Sequence, residues 1–414
     1  MRYIALLALA SLMSASSLSA GDTWPRFRGP NGSGRSDEKG FPVRWTDDDY
    51  EWKTKLPGLG HSSPSVWAEH VFLTCATEDG KKRFVIDVDA STGKIRWQRE
   101  LEAETHEIFH FNSYASATPA LDGKRAYVVF ASGKDLILVA FDFKGEQVWL
   151  KKPGNLINAP AHGWGGSLVV FGDLVIFVNS QERSSFLLAV DSATGEERWK
   201  SDLKSTTAAH STPLIVERDG EDPALFLSNV GTGIARVDPR DGKVKWRVNV
   251  FNSRVVSSPV YGHGLVFATN GGGGVGRFLA AVPIDGDGDF DNSRATWTRD
   301  RELPYVPTPI IDGDELYLWG DKGTIVCVEA KTGKDVWKAR VEGDYSGSPI
   351  WLDGKLYCSA RDGKVVVIAA GRKFELLAEN QLGERSHATP AVAGGRMFLR
   401  GFEHLFCLRA KADR

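Results

Sequence analysis

The chain has 414 residues, of which 42% are hydrophobic and 25% charged, and its formal net charge is −2. That length exceeds one ordinary hydrophobic core, so the chain either divides into domains or repeats one unit whose neighbours share a core. The near-zero charge gives no bulk pull toward nucleic acid or an anionic membrane, and neither is expected as a partner.

Residues 1–20 read as an export signal peptide. Arg2 supplies a positive charge, residues 4–13 form an apolar run, and residues 14–20 are small up to a cleavage point before Gly21. The run is too short to span a bilayer, and no later segment has the pattern of a membrane span. No Cys follows the cut, so lipid attachment there is not expected. The mature chain, 21–414, is expected to be a single domain, periplasmic or secreted.

WPRFRGPNGSG occupies residues 24–34, and VRWTDDDYEWKTKL, residues 43–56, ends in a Trp-bearing strand. From about residue 61 to 410 the chain repeats itself. Unit starts follow one phrase: SSP at 62–64, ATP at 117–119, GGS at 165–167, STP at 211–213, SSP at 257–259, PTP at 307–309, GSP at 347–349 and ATP at 388–390. After each comes a short turn and an apolar run rich in β-branched and aromatic residues, such as HVFLTC, RAYVVF or ELYLWG. A third run leads into a second recurring phrase, VDASTGKIRW at 88–97, which returns as VDSATGEERW at 190–199, VDPRDGKVKW at 237–246 and VEAKTGKDVW at 328–337. Its Asp can accept hydrogen bonds from the turn's own N–H groups, and its Gly supplies the positive φ of a tight turn.

Such periodic self-similarity marks a stacked structural unit. Each unit reads as four antiparallel strands, one blade, so the expected fold is all-β: an eight-bladed β-propeller. The last unit stops before its outer strand, and segment 43–56 is expected to supply that strand and close the ring, removing an exposed sheet edge. The seventh unit has AAGRKFELL in place of the Trp phrase, so its outer hairpin is expected to be altered. Cys75, Cys327, Cys358 and Cys407 sit singly in apolar runs. Buried free thiols are expected, with a disulfide open in an oxidising compartment.

The repeated [VF]DxxTGxxxW after Ser-x-Pro strands resembles the pyrroloquinoline-quinone (PQQ)-type β-propeller repeat. That family includes quinoprotein alcohol dehydrogenases and the propeller lipoprotein of the outer-membrane barrel-assembly machinery. The 24–34 segment resembles that of secreted bacterial members labelled PQQ-binding-like. The resemblance implies that Trp52, Trp97, Trp149, Trp199, Trp246, Trp297 and Trp337 each dock on a neighbouring blade. It also raises PQQ and Ca²⁺ as cofactors. Quinoproteins of this fold place a vicinal disulfide over the cofactor and hold Ca²⁺ with acidic and amide side chains. This chain has no adjacent Cys, so no cofactor is assigned.

Other motifs weaken on inspection. HEIFH at 106–110 matches a zinc-peptidase pattern but lies between two units, and is read as a loop at the channel mouth. GGGGVG at 271–276 is followed by a strand rather than a helix, and is read as a hairpin. DGDGDFDN at 285–292 offers Asp285, Asp287, Asp289 and Asp291 as a candidate Ca²⁺ site. The residues just before each inner strand are expected to ring one mouth of the central channel: His61, Asn112, Tyr114, His162, Trp164, His210, Arg254, Tyr305, Tyr345, Arg385 and His387. Converging polar and aromatic groups make a binding funnel, whereas no catalytic residue can be assigned. The expected function is a non-enzymatic binding or scaffold protein of the cell envelope. Its partner would be an envelope protein, peptide or glycan, and it would act as a monomer or in a complex. The alternative is a PQQ-dependent oxidoreductase.

Overall fold

The computed structural model describes residues 20–157 and 162–411, so the expected signal peptide falls outside the described residues except at its final Ala20. The only helices among them are short 3-10 turns. Each repeat folds into its own antiparallel sheet, and there are eight. From inner to outer strand, blade 1 runs from Ser65–Trp67 to Ile95–Glu102, blade 2 from Ala120–Leu121 to Gln147–Asn155, and blade 3 from Val169–Phe171 to Glu197–Asp202. Blade 4 runs from Leu214–Val216 to Val244–Val248 and blade 5 from Val260–Gly262 to Trp297–Arg299. Blade 6 runs from Ile310–Asp312 to Asp335–Arg340 and blade 7 from Ile350–Leu352 to Leu376–Gln381. Burial follows position. The second strand of blade 1, His70–Ala76, is covered by both neighbouring blades and buried from Val71 onward, whereas its outer strand alternates exposed and half-buried residues.

Blade 8 is composite. Its strands Ala391–Ala393, Arg396–Arg400 and His404–Arg409 are completed on the outside by Tyr50–Lys55, antiparallel to His404–Arg409 with Lys53 opposite Phe406. The inner strands of blades 8 and 1 also touch, so the ring is closed. Blade 7 forms its outer strand without a Trp. Residues 41–45 fill the vacated seam: Phe41 and Trp45 are buried there, the Trp45 N–H donates to Asn380 Oδ1 (3.0 Å), and Asn380 Nδ2 donates to the Val43 carbonyl (2.9 Å).

Two belts hold neighbouring blades together. At the rim, each repeat Trp donates its indole N–H to a turn carbonyl of the next blade. Trp52 reaches Ala90 (3.0 Å), Trp97 reaches Phe143 (3.0 Å), Trp149 reaches Ser192 (3.0 Å) and Trp199 reaches Pro239 (3.2 Å). Trp246 reaches Ile284 (2.9 Å), Trp297 reaches Ala330 (2.9 Å) and Trp337 reaches Gly371 (2.8 Å). The turn glycine lies flat under the ring. At Gly195, φ is +69° and an added Cβ would stand 2.7 Å from the Trp149 ring, so shape and backbone both require glycine.

At the axis, the Ser/Thr of seven of the eight start phrases accepts a hydrogen bond from the corresponding N–H of the preceding blade, the exception being Thr212 of blade 4. Ser63 donates to Thr118 (3.0 Å), Thr118 to Ser167 (3.0 Å), Thr212 to Ser258 (3.0 Å) and Ser258 to Thr308 (3.0 Å). Thr308 donates to Ser348 (2.9 Å), Ser348 to Thr389 (2.9 Å), and Thr389 back to Ser63 (3.1 Å), which carries the belt across the closure.

Three sheets gain a strand beyond the expected four: Thr23–Trp24 beside the inner strand of blade 1, Arg35–Ser36 parallel to the inner strand of blade 7, and Gly288–Phe290 parallel to the outer strand of blade 4. The first two show that residues 23–36 thread one end of the channel from blade 1 to blade 7. Arg28 anchors the crossing and is fully buried. Its Nη1 donates to the carbonyls of Thr308 (3.1 Å) and Pro349 (3.2 Å). Its Nη2 donates to Pro309 (2.9 Å) and Ser33 (3.0 Å), and its Nε to Gly32 (3.3 Å). All five guanidinium donors thus meet carbonyls. Burial lowers its pKa to about 9, which leaves it charged at neutral pH. An added Cβ on Gly34 would stand 2.7 Å from Arg28 Nη2, so this loop closes tightly over the head group.

Arg28→Met should cost about 2–4 kcal/mol in urea unfolding, because several carbonyls lose their donor at once. Arg28→Lys should recover little of it, since an ammonium cannot fork to five acceptors. A loss under about 0.5 kcal/mol for either variant would remove the crossing segment as a structural brace.

Candidate functional site

The opposite end of the channel is an open funnel of about 890 Å³. The Ser/Thr belt lines its throat and Phe27 of the crossing segment closes it from below. Two kinds of loop reach this face: the connections from one blade to the next, and the hairpins between second and third strands. Alternation of strand direction sends the VDxxTG turns to the other face.

Of the expected residues, His61, Asn112, His162, His210, Arg254, Tyr305 and His387 line the funnel. Four do not. Tyr345 is fully buried against Trp319 and donates to the Glu342 carbonyl (2.8 Å). Trp164 packs on Phe177 and donates to Gly166 (2.9 Å). Tyr114 lies beneath the Arg83 guanidinium and donates to His106 (2.8 Å). Arg385 sits over the Phe402 ring, 4.4 Å from its centroid. For Tyr114, Trp164 and Tyr345 the ring turns into the wall, where burial of an aromatic face outweighs exposure at the mouth.

The funnel also holds residues that the sequence reading missed. Phe109 and Phe111, 41% and 45% exposed, stand at its lip on the loop between blades 1 and 2. Asp321, Lys322 and Arg361 come from the second-to-third-strand hairpins of blades 6 and 7, and residues 271–274 from that of blade 5. The GDKG and RDG phrases were the available signal, since they place charges where blade 5 has only glycine. HEIFH is loop rather than helix: His106 meets Tyr114 edge-on, while His110 lies tilted between Phe109 and Phe111, each 4.1 Å away. The two histidines are thus spent on different neighbours.

A continuous track of rings crosses the mouth: Phe402 to His61 (4.9 Å), His61 to His387 (4.4 Å), His387 to Phe111 (6.3 Å), then through His110 and Phe109 to His162 (5.3 Å). Three of its histidines, His61, His387 and His162, are lowered from the ordinary imidazole range by burial. Burial pushes His61 well below its ordinary value, reinforced by His387 and by Arg400, Arg385 and Arg361. Burial and then Arg361 take His387 to about 4, while burial, Arg254 and His162 take His210 to about 3. His162 is lowered by burial and by Arg254. Asp321 is the one acidic lining residue, and its carboxylate accepts from the N–H groups of Tyr305 (2.7 Å) and Val306 (3.2 Å).

The candidate Ca²⁺ residues are not gathered. Asp285 pairs with Arg218 (3.1 Å), Asp289 pairs with Arg247 (2.6 Å), and Asp291 caps a 3-10 turn through Ser293 N–H (2.9 Å). Asp287 lies in the same hairpin, away from the funnel. Among the described residues no group of three or more His, Cys, Asp or Glu could hold a metal. The funnel does not fit PQQ with Ca²⁺ either. The four Cys are free, buried and in four different blades, and the single funnel carboxylate is committed to backbone N–H groups.

The family model described as outer membrane protein assembly factor BamB matches residues 43–221, 183–308 and 289–411. The outer membrane protein assembly factor BamB of Yersinia pestis is 22% identical over 242 residues, 54% of this chain, and the chain spans 58% of that relative's length. The crystal structure of BamB from Moraxella catarrhalis superposes with a TM-score of 0.60 at 15% identity, covering 88% of this chain and 98% of that one. Quinohemoprotein alcohol dehydrogenase from Comamonas testosteroni superposes with a TM-score of 0.68 at 12% identity, covering 96% and 82%. At these identities the two superpositions speak for the fold alone.

The depressed imidazoles set a pH dependence. Below pH 6.5 the unfolded chain takes up protons that the folded funnel refuses until about pH 4. Stability should therefore fall as pH falls through that window. Replacing both His210 and His387 by Gln should reduce the loss between pH 7 and pH 5 by about 1 kcal/mol per histidine, discounted for partial exposure. Urea midpoints at the two pH values measure this, and parallel losses in wild type and variant would contradict it.

Proposed function

We propose that this chain, which belongs to the family of the outer membrane protein assembly factor BamB, is a non-enzymatic binding scaffold of the cell envelope. The leading observation is the funnel: a blind, polar and aromatic cavity on one face of a rigid ring, with exposed Phe109 and Phe111 at its lip. Exposed aromatic groups beside a concave polar site are the common anatomy of a partner-binding centre. No helix among the described residues is long and apolar enough to cross a membrane. The charged, apolar, then small-residue pattern of residues 1–20 supports a place beyond the inner membrane, periplasmic or secreted. The partner class favoured by the family is a polypeptide of the outer-membrane assembly apparatus, with the chain acting in a complex; a glycan is the alternative ligand.

The oxidoreductase reading has the fold likeness to the quinohemoprotein in its favour and the residue chemistry of the funnel against it. Titration with PQQ and Ca²⁺ should give neither saturable binding nor dye reduction. For the scaffold reading, the tagged mature chain should capture outer-membrane assembly components from envelope extract. The double variant Phe109→Ser, Phe111→Ser should lose about tenfold of that capture, on the scale of an interface hot spot, with thermal stability close to wild type. Equal capture by the variant would remove the funnel lip from the function.

A further inference from the structure

The funnel wall is cationic in a way that the net charge of −2 conceals. Its lining cations are Arg254, Lys322 and Arg361. Lys322 is paired with Asp344 at 3.0 Å. Among the described residues neither arginine has a carboxylate within ion-pair distance. Arg254 donates from Nη2 to Thr207 Oγ1 (3.2 Å), and among the described residues its buried Nε meets no hydrogen-bond partner. Beside it, the buried His210 Nδ1 is equally without a partner. Arg361 donates from Nε to Ser346 Oγ (2.7 Å) and lies 4.1 Å over the Phe111 ring, which fixes the plane of its guanidinium, and among the described residues neither Nη group meets a protein acceptor. Planar forks held in place beside open cavity are built for oxyanions. The one carboxylate in the wall among the described residues, Asp321, is buried on the N–H groups of Tyr305 and Val306 and makes no ion pair with either arginine; it acts on Arg361 only at longer range.

The lip between these forks is apolar. Phe109 and Phe111 are partly exposed rings with no hydroxyl, and the histidine rings extend that surface from Phe402 to His162. A ligand that suits the funnel therefore alternates negative and apolar groups along an extended chain. We infer that the funnel binds an extended acidic peptide segment, its carboxylates on Arg254 and Arg361 and its apolar side chains on Phe109 and Phe111. This rests on the binding-scaffold reading and adds the chemistry of the bound segment to it. A cavity of about 890 Å³ encloses a few residues of such a segment, within the roughly 300–1,000 Å³ of enclosed ligand sites. The crossing segment beneath closes the far end, so the peptide enters and leaves by one mouth.

The test is fluorescence anisotropy with a dye-labelled alternating Glu/Phe hexapeptide, its Gln/Phe counterpart, and an acidic oligogalacturonate as a glycan probe. The Glu/Phe peptide should bind saturably, about tenfold tighter than Gln/Phe, and weaken as salt is raised. The double variant Arg254→Gln, Arg361→Gln should lose about tenfold in affinity, while Arg340→Gln on the outer strand of blade 6 should match wild type. The salt series uses the unaltered protein, so it decides the matter even where the double variant is unstable. Equal affinity for the Glu and Gln peptides, insensitivity to salt, or tighter binding of the oligogalacturonate would each overturn the inference. Partner capture that depends on Phe109 and Phe111, together with no peptide discrimination, would leave the scaffold reading standing and remove only this one.

Discussion

The innermost strand of a blade has no neighbour on its axial side, so its backbone groups must find partners elsewhere or go unsatisfied in a crowded ring. The start phrase answers this residue by residue. Its Ser or Thr sends an N–H to the hydroxyl of the next blade and receives one from the blade before, as Thr118 does between Ser167 and Ser63. The proline that follows in seven of the eight units has no N–H to satisfy. Its carbonyl remains, and arginine takes several of these: Arg26 donates to Pro213 (3.2 Å), and Arg28 to Pro309 and Pro349. Ser-x-Pro repeats and the arginines of WPRFRG are thus two halves of one solution.

That solution decides where function can sit. One end of the channel is consumed by the crossing segment and the turn phrases project from the same side of the ring. The other end keeps an open throat, and the loops around it are free of the rim and axis belts. Burial first, and then neighbouring arginines, lower His61 and His210 from the ordinary imidazole range, which suits these rings to aromatic surface at neutral pH. The positive potential that suppresses their protonation is the same one that an anionic ligand would meet.

The architecture was legible because it repeats. Seven docking tryptophans, eight start phrases and an unfinished last unit specify blade number and the closure by residues 50–55. The added strands were not legible, since Thr23–Trp24, Arg35–Ser36 and Gly288–Phe290 carry none of the repeat's phrases and have no marked place in a blade. The same limit hid Trp45, which stands in blade 7 for the tryptophan that blade lacks. At the site, position along the chain located the mouth but not side-chain direction. Tyr345 and Arg254 occupy equivalent handover loops, yet one fills the core and the other the cavity. Arg361 escaped notice because its hairpin reaches the mouth from a part of the blade that the repeat marks only as a turn.

The most direct measurement is anomalous scattering from crystals soaked in bromide. A blind, cationic funnel above a sealed axis predicts bromide beside Arg254 in the funnel and none at Arg28, whose five donors already meet carbonyls. Bromide bound at Arg28, or a funnel empty of bromide while other surface cations hold it, would contradict both the seal and the charge of the site.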